Sequence, residues 1–195
     1  MKKHHKLNLD ELADQMEGIS RQEQESSSGG HYYYLPSGKE LGQRGPGQEI
    51  RIVQEEWQFH AFGGSESSLN DYSTLLCYAG ADTQRTILSS IAGHDVQVYS
   101  VALPGENINT SQARCTEQGQ MGINYYGSVY RNGNYWDIRS ALRVHEGTHY
   151  GQIGADLTIE QRELLAYRAQ LLDPYFNNCS PEFRHIIVMN YQLYS

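Results

Sequence analysis

The segment that says most about this 195-residue chain is Val144-His145-Glu146-Gly147-Thr148-His149-Tyr150. The histidines and the apolar positions before them follow helical spacing, which predicts a helix from Asp137, its N-cap, to about Gly151. Two histidines four residues apart on a helix project from one face, so both imidazoles can reach one tetrahedral Zn²⁺. Glu146 follows the first histidine and is placed to take a proton from a water that such a metal activates.

A catalytic zinc site uses three protein ligands and leaves one position open, so one ligand is needed beyond the two histidines. An extended motif would need a Gly and a ligand at positions 152 and 155, which hold Gln152 and Ala155. Asp156 stands in a short glycine-containing loop without a supporting motif. The remaining candidates are Glu163 and its rival Glu160, which lies about one turn earlier.

Glu163 belongs to a second predicted helix, Ile159 to Leu172. Ala166, three residues after Glu163, is small enough to let this helix approach the first one, whereas Glu160 has no small residue at that spacing. The sequence therefore favours Glu163 as the third ligand. The residues predicted to share its helix face, at steps of four and three, are Tyr167 and Gln170.

Together these motifs resemble the minimal gluzincins, which are zincin-type zinc metallopeptidases. Their pattern is His-Glu-x-x-His, a loop, and Glu-x-x-Ala on a second helix, and the resemblance covers about Tyr125 to Gln170. It implies that His145, His149 and Glu163 hold one Zn²⁺ per chain. It also implies that Glu146 is the general base in hydrolysis of a peptide or protein substrate.

The resemblance implies an α+β, zincin-like fold: an N-terminal mixed or antiparallel sheet, an active-site helix and following C-terminal helices. It also implies that an extended segment, Asn124 to Tyr130, is the edge strand that binds the substrate backbone. Strand-like segments precede helical ones in the chain, which is typical of α+β domains.

Elsewhere, β-branched and aromatic runs predict strands, and capping residues predict where helices begin and end. The C-terminal segment from Pro181 is predicted as a helix, or as a helix followed by a strand. Further strands are predicted at His31 to Leu35, Glu49 to Phe62 and around Val96 to Val101. Surface loops are predicted at Gly63 to Asn70 and Gly105 to Gly119. Asp82 and Thr158 are predicted to begin helices, and Gly93 is predicted to end the first of these.

The first thirty residues differ from the rest of the chain. Apolar residues at Leu9, Leu12, Met16 and Ile19 form one stripe of a short helix, and a polar, Ser- and Gly-rich linker follows to Gly30. Together they resemble a double-glycine leader of the kind removed by export transporters with a papain-like peptidase domain, although the gap before the glycines is longer than usual. The resemblance implies cleavage after Gly30, a mature domain of residues 31–195 and secretion. The alternative is a frayed terminus on a cytoplasmic protein.

Charge and hydropathy exclude several classes of protein. The net charge of −8 argues against a nucleic-acid partner, because neutralising phosphates requires an excess of Lys and Arg. No apolar run approaches the roughly 20 residues that span a bilayer. The three cysteines are widely spaced and predict small buried side chains with at most one disulfide; they are Cys77, Cys115 and Cys179.

Two further functions use the same residues. One is a secreted bacteriocin-like or toxin effector with the same metal site, and the other is a non-catalytic zinc-binding module that recognises a partner.

Gly147 lies inside the predicted helix at a cost of about 1 kcal/mol relative to Ala, which a close neighbour would explain. Three tyrosines are candidates to stabilise an oxyanion, without assignment to one of them: Tyr150, Tyr167 and Tyr191. Three isolated histidines are interpreted as structural: His60, His94 and His185.

Overall fold

The structure is a computed structural model that describes residues 30–45, 47–61, 69 and 71–195. The predicted leader helix and its linker, up to residue 29, lie outside the described residues, as does most of the predicted loop from Gly63 to Asn70. His31, the first residue of the predicted mature domain, is also the first residue of the first strand.

The described strands form two small mixed sheets. In the four-stranded sheet, with order β2-β1-β3-β4, the strands are β1 His31–Tyr34, β2 Glu40–Arg44, β3 Ile50–Ile52 and β4 Thr74–Leu75. In the three-stranded sheet, with order β5-β7-β6, they are β5 Val96–Tyr99, β6 Ala113–Cys115 and β7 Met121–Asn124. β7 is parallel to β5 and antiparallel to β6. Because β7 lies between the other two strands, β6 is an edge strand.

The helices follow mainly in the second half of the chain. Among the described residues, the helices before the His145-to-His149 motif include α1 Glu56–Ala61, α2 Ala81–Ala92 and α3 Ser128–Asn132. Helix α4 spans residues 135–151 without interruption and has three parts, Tyr135–Arg139, a π-helical Ser140–Glu146 and Gly147–Gly151. The last two are α5 Ile159–Leu172 and α6 Pro181–Tyr194. This mixture of sheets and helices confirms the predicted α+β class.

Strand β1 joins the two hydrophobic clusters of the domain. Successive side chains of a strand point to opposite faces, and here both faces are covered. Tyr32 and Tyr34 enter the main core, which also holds buried apolar residues of α2, α4 and the second sheet. Tyr33 points the other way, into a smaller cluster with Val53 and Phe59. All four residues of β1 are consequently buried.

Several predicted helix boundaries are confirmed. Thr158 caps α5 in a capping box with Gln161, whose side chain accepts a hydrogen bond from the Thr158 backbone N–H. Gly93 ends α2 with φ of 77°, a left-handed conformation in which glycine meets no steric penalty. The segment from Pro181 is a helix throughout, without the alternative terminal strand.

The predicted strand from Glu49 to Phe62 is wrong in its second half. Ile50 to Ile52 form β3, but the chain then turns into α1. The Gln58 side chain accepts hydrogen bonds from the backbone N–H groups of Gln54 and Glu55. These bonds satisfy donors before the first turn of a helix, and they outweigh the period-two pattern of the apolar residues.

Two predicted N-caps are also wrong. Asn134, not Asp137, caps α4, and Asp137 takes the third helical position of the same capping box. Asp137 is buried and also accepts a hydrogen bond from the Ser180 N–H, at 2.8 Å, so it joins the starts of α4 and α6. Gly80, not Asp82, precedes α2 as its N-cap.

The segment from Asn124 to Tyr130 is not an edge strand. β7 ends at Asn124, and it pairs on both sides, with β5 and with β6. The Asn124 amide is buried, donates to the carbonyl groups of Ile108 and Ser111, and accepts from the Tyr126 N–H. These bonds turn the chain away from the sheet. The edge strands of this sheet are β5 and β6, and β6 lies within the segment predicted as a surface loop.

Across the ranges that the structure describes, no helix combines the length and the hydropathy needed to cross a bilayer. The three cysteines are free thiols. Cys179 is buried, as predicted, whereas Cys77 and Cys115 are only partly buried.

Gly147 has no crowded neighbour that would require glycine. Within the described residues, the only atom outside its own helical turn that an added Cβ would meet is the Leu142 carbonyl oxygen, at 3.9 Å. We therefore predict that Gly147→Ala stabilises the protein by about 1 kcal/mol through helix propensity. Thermal denaturation should show a melting temperature higher by about 2–4 °C.

Gly154→Ala is the matched control for this prediction. Gly154 also faces open space, but its φ of 79° is left-handed, so the same added methyl group should destabilise by about 1–2 kcal/mol. A Gly147→Ala variant that melts at a lower temperature than the wild type would show that the π-helical segment requires glycine after it.

Candidate metal centre

Two helices bring the candidate ligands together. α4 carries His145 and His149 on one face, and α5, packed against its π-helical part, carries Glu163. Ala166, the small residue predicted to allow this approach, is fully buried. Across the part of the chain that the structure describes, these three side chains form the one group of His, Cys, Asp or Glu residues close enough to hold an ion.

The three donor groups are separated by distances that suit a small cation. The Nε2 atoms of His145 and His149 lie 3.2 Å apart. Glu163 places Oε1 at 3.2 Å from the His149 Nε2 and Oε2 at 3.5 Å from the His145 Nε2. Donors bound tetrahedrally to Zn²⁺ at 2.0–2.1 Å stand about 3.3–3.4 Å apart, so the observed spacing fits that geometry.

The outer nitrogen of each imidazole contacts a glutamine amide oxygen. His145 Nδ1 lies 3.0 Å from Gln170 Oε1, and His149 Nδ1 lies 3.2 Å from Gln152 Oε1. Gln170 is 1% exposed, and its Nε2 donates to both the carbonyl and the hydroxyl oxygen of Ser140. This network fixes the amide oxygen toward the imidazole.

The glutamines determine where the imidazole protons lie. An amide oxygen only accepts hydrogen bonds, so the Nδ1 of each histidine must carry the proton. In a neutral imidazole the other nitrogen, Nε2, then presents a lone pair. Both lone pairs face each other and the Glu163 carboxylate. Three electron-pair donors at this distance repel one another unless a cation, either a proton or a metal ion, lies between them.

The negative charge and the lone pairs that meet in the site shift the pKa values of its residues. Burial favours the neutral form of Glu163, but hydrogen bonds with His145 and His149 outweigh it and lower the pKa of Glu163 to about 2. Burial also lowers the pKa of His149, but the hydrogen bond to Glu163 and the charge of Glu146 leave it above its ordinary value. The site thus favours positive charge on its histidine side.

Glu146 is the second acidic group of the centre. It is 5% exposed and lines the cleft in front of the histidines. Burial raises the pKa of Glu146, against the lowering effect of the neighbouring His145 and His149. It is not part of the three-residue cluster.

The other ligand candidates lie outside the cluster. Glu160 is exposed, and hydrogen bonds with its own backbone and with the Thr158 side chain lower its pKa. Asp156 is exposed in the loop between the helices. Gln152, which occupies a position where the extended motif has a glycine, is buried and holds His149 in place.

A cleft of about 660 Å³ opens over the cluster. Its floor is the face of α4 that carries Ala141, His145, Glu146 and His149. One wall is β6 with its flanking residues, and the opposite wall comes from α5 and α6. Of the three candidate tyrosines, Tyr167 lines the cleft, with its ring centroid 4.7 Å from that of His145.

The sequence placed Gln170 on the Glu163 face of its helix, but it did not identify Gln170 and Gln152 as the partners of the imidazoles. Gln152 lies three residues after His149, so helical spacing would have suggested it. β6 is only three residues long within a polar segment and carries no such signal. The contribution of α6 to the cleft depends on tertiary packing.

Comparisons of the chain with protein-family models, with curated proteins and with solved structures find no match. The fold and the site define an α+β domain in which two histidines and a glutamate converge at the floor of a cleft.

Glu163 and Glu160 offer a direct test of the third ligand. Glu163→Gln should weaken Zn²⁺ binding strongly, because a neutral amide is a poor zinc ligand. Loss of a hydrogen-bond partner of a zinc ligand lowers the affinity roughly 10–100-fold, and we expect a larger loss for Glu163→Gln. Glu160→Gln makes the same chemical change at an exposed site and should leave the affinity unchanged. Competition with a chromophoric chelator measures both, and the reverse ranking would move the ligand to Glu160.

Gln170 tests the role of the amide network. Gln170→Ala removes the acceptor for the His145 Nδ1 proton and should lower Zn²⁺ affinity about 10–100-fold. Gln192→Ala, on the exposed end of α6, is the control. The absorption spectrum of bound Co²⁺ should change for Gln170→Ala only. Unchanged affinity and an unchanged spectrum would mean that His145 is oriented without Gln170.

Proposed function

We propose that this protein is a zinc-dependent peptidase with a zincin-like fold of the minimal gluzincin type. The observation that carries the proposal is the convergence of three electron-pair donors, His145 Nε2, His149 Nε2 and the Glu163 carboxylate, next to a buried glutamate in a cleft. Two imidazoles and one carboxylate are a donor set that catalytic zinc sites use, with a position left open. The proposal includes one Zn²⁺ per chain.

When bound, Zn²⁺ supplies Lewis-acid polarisation and makes a water nucleophilic at neutral pH. The chain's own residues supply the rest of the chemistry. Glu146 accepts a proton from the attacking water while the water oxygen forms a bond to the peptide carbonyl carbon. The same carboxyl group then gives that proton to the leaving nitrogen as the carbon–nitrogen bond breaks. One water is consumed, and an amine and a carboxylic acid are released.

The edge strand β6 is suited to hold the peptide backbone of a substrate. The Asn124 N–H donates to the Gln112 carbonyl, and the Thr116 N–H donates to the Gln120 carbonyl, so these even-numbered positions face β7. Backbone groups alternate along a strand, and those of Ala113 and Cys115 therefore point away from the sheet. Both residues line the cleft. An extended peptide can add to such an edge and pass over the metal site.

The role of Glu146 distinguishes the binding module, but not the secreted effector, from the proposed peptidase. A secreted effector would use the same chemistry and differ only in its target. A partner-recognition module would need the metal ligands but no base. A buried carboxyl group is costly to maintain, and its place in the cleft beside the ligands favours a catalytic role over pure binding.

Glu146→Gln separates the enzyme from the binding module. The change keeps the size of the side chain and removes the base, so hydrolysis should fall by a factor on the order of 10²–10⁴. Zinc content should stay at wild-type level because Glu146 is not a ligand. The measurement is hydrolysis of a peptide library by metal-loaded protein, with Glu160→Gln as the matched surface control.

Full activity in Glu146→Gln would exclude Glu146 as the base. If neither the wild type nor the variant cleaves any peptide, although both bind zinc, the result favours a binding module or a narrow specificity over a peptidase of broad specificity.

A further inference from the structure

We infer that Arg162 forms a subsite for a carboxylate group of the substrate, at the end of the cleft near Ile153. The inference rests on the proposed peptidase function and names its substrate class. These substrates are peptides that carry a carboxylate within a few residues of the scissile bond, either at the C-terminus or on a side chain. Three features support the subsite: the charges that line the cleft, the free donors of the Arg162 guanidinium group, and the contacts that hold it.

Two arginines line the cleft, and in the described part of the chain only Arg114 has a carboxylate partner. The Arg114 Nη1 donates to Glu106 Oε2 at 2.7 Å, and the guanidinium carbon lies 3.6 Å from the centroid of the Tyr99 ring. The charge of Arg114 is therefore balanced within the protein. Arg162 has no carboxylate oxygen within 4.0 Å among the described residues, so its charge is available to a ligand.

The guanidinium group of Arg162 also has donors without acceptors. Nη2 donates to the Ala155 carbonyl group at 3.0 Å. Nε is buried and has no hydrogen-bond partner among the described residues, so the protein satisfies this group only in part. Nη1 has no partner there either, and it is not buried. It can donate to a carboxylate in a charge-assisted hydrogen bond, which is among the stronger hydrogen bonds in proteins.

Contacts from the backbone and the side chain hold Arg162 in place. Its backbone N–H donates to the Thr158 carbonyl at 3.0 Å, at the start of α5. Nη2 joins the side chain to the loop after α4 through Ala155. The Gln152 side chain donates to the Arg162 carbonyl at 3.5 Å and also contacts His149. A group that is already held loses little conformational freedom when a ligand binds, which favours affinity.

The position of Arg162 suits a peptide that leaves the metal centre along β6. Gly119, which follows β6, lies against Tyr150 and Ile153 at the end of α4. Ile153 and Arg162 both line the cleft, and Arg162 directly precedes the candidate ligand Glu163. A peptide paired with β6 would therefore pass the metal ligands and reach the guanidinium group within a few residues.

The cleft also contains negative charge, on three glutamates. Glu146 and Glu163 belong to the metal centre, where a bound cation offsets their charge. Glu117 is exposed in the turn after β6 and lines the cleft, without an ion pair to Arg162. Its carboxylate would repel an anionic substrate group. Removal of the Glu117 charge should consequently act in the opposite direction to removal of the Arg162 charge.

The test uses zinc-loaded Glu146→Gln protein and fluorescein-labelled peptides in matched pairs. One set differs in the C-terminus, a free carboxylate or an amide. The other set has Glu or Gln at one position, which is moved along the peptide. Fluorescence anisotropy should show tighter binding of the carboxylate member in one of the two sets, by about 10-fold or more. The set that shows the preference identifies the source of the carboxylate.

Two arginine variants assign this preference to its residue. Arg162→Gln should abolish the preference at unchanged zinc content. Arg168→Gln makes the same change at an exposed position of α5 outside the cleft and should leave the preference intact. Arg162→Glu should instead favour peptides with Lys at the selected position, and such a gain cannot come from misfolding. Glu117→Gln should strengthen binding of the carboxylate peptides.

Equal binding within every pair, no binding of any peptide, or a preference that survives Arg162→Gln would each overturn the subsite. The peptidase proposal is read separately, from cleavage of the same peptides by wild-type protein. If the carboxylate peptides bind selectively but none is cleaved, the subsite stands without the peptidase proposal. If peptides are cleaved without preference for a carboxylate, the peptidase proposal stands and the subsite fails.

Discussion

The hydrogen bonds between two glutamine amides and the outer nitrogens of His145 and His149 are the constraint on which the site depends. An amide oxygen cannot donate, so each bond fixes one tautomer and directs the Nε2 lone pair inward. Because the Glu163 carboxylate meets both lone pairs, a proton or a metal ion between the three donors would relieve their mutual repulsion. The same interaction thus orients the three candidate ligands toward one point.

The rest of the fold supplies the rigid frame for this contact. α4 packs against α5 through its π-helical part, and π-helical segments occur frequently at functional sites. Asp137 joins the start of α4 to the start of α6, which places the C-terminal helix along the cleft. On the other wall, the buried Asn124 fixes the loop that leads into β6. The buried hydrogen bonds of Asp137 and Asn124 therefore hold two of the elements that line the cleft.

The sequence predicted best where a local signal was strong. Thr158 and Gly93 marked helix ends because capping depends on neighbouring residues, and helical spacing predicted the shared face of the two histidines. Prediction failed where a local side-chain cap without a clear sequence signal, or a tertiary contact, decides the structure. Trp57 and Phe59 alternate as in a strand but lie on α1, and β6 is recognisable only from its pairing with β7. Gln152 and Gln170 were within reach of helical spacing, yet an amide beside a histidine has no motif of its own.

Anomalous X-ray diffraction at the zinc edge, from crystals of the zinc-loaded full chain, tests the arrangement most directly. One anomalous peak per chain should lie at bonding distance, about 2.0–2.2 Å, from His145 Nε2, His149 Nε2 and a Glu163 carboxylate oxygen. Both Nδ1 atoms should keep their glutamine partners. Absence of a peak at these atoms, or a zinc bound through Nδ1, would contradict the role of the glutamines and with it the proposed centre.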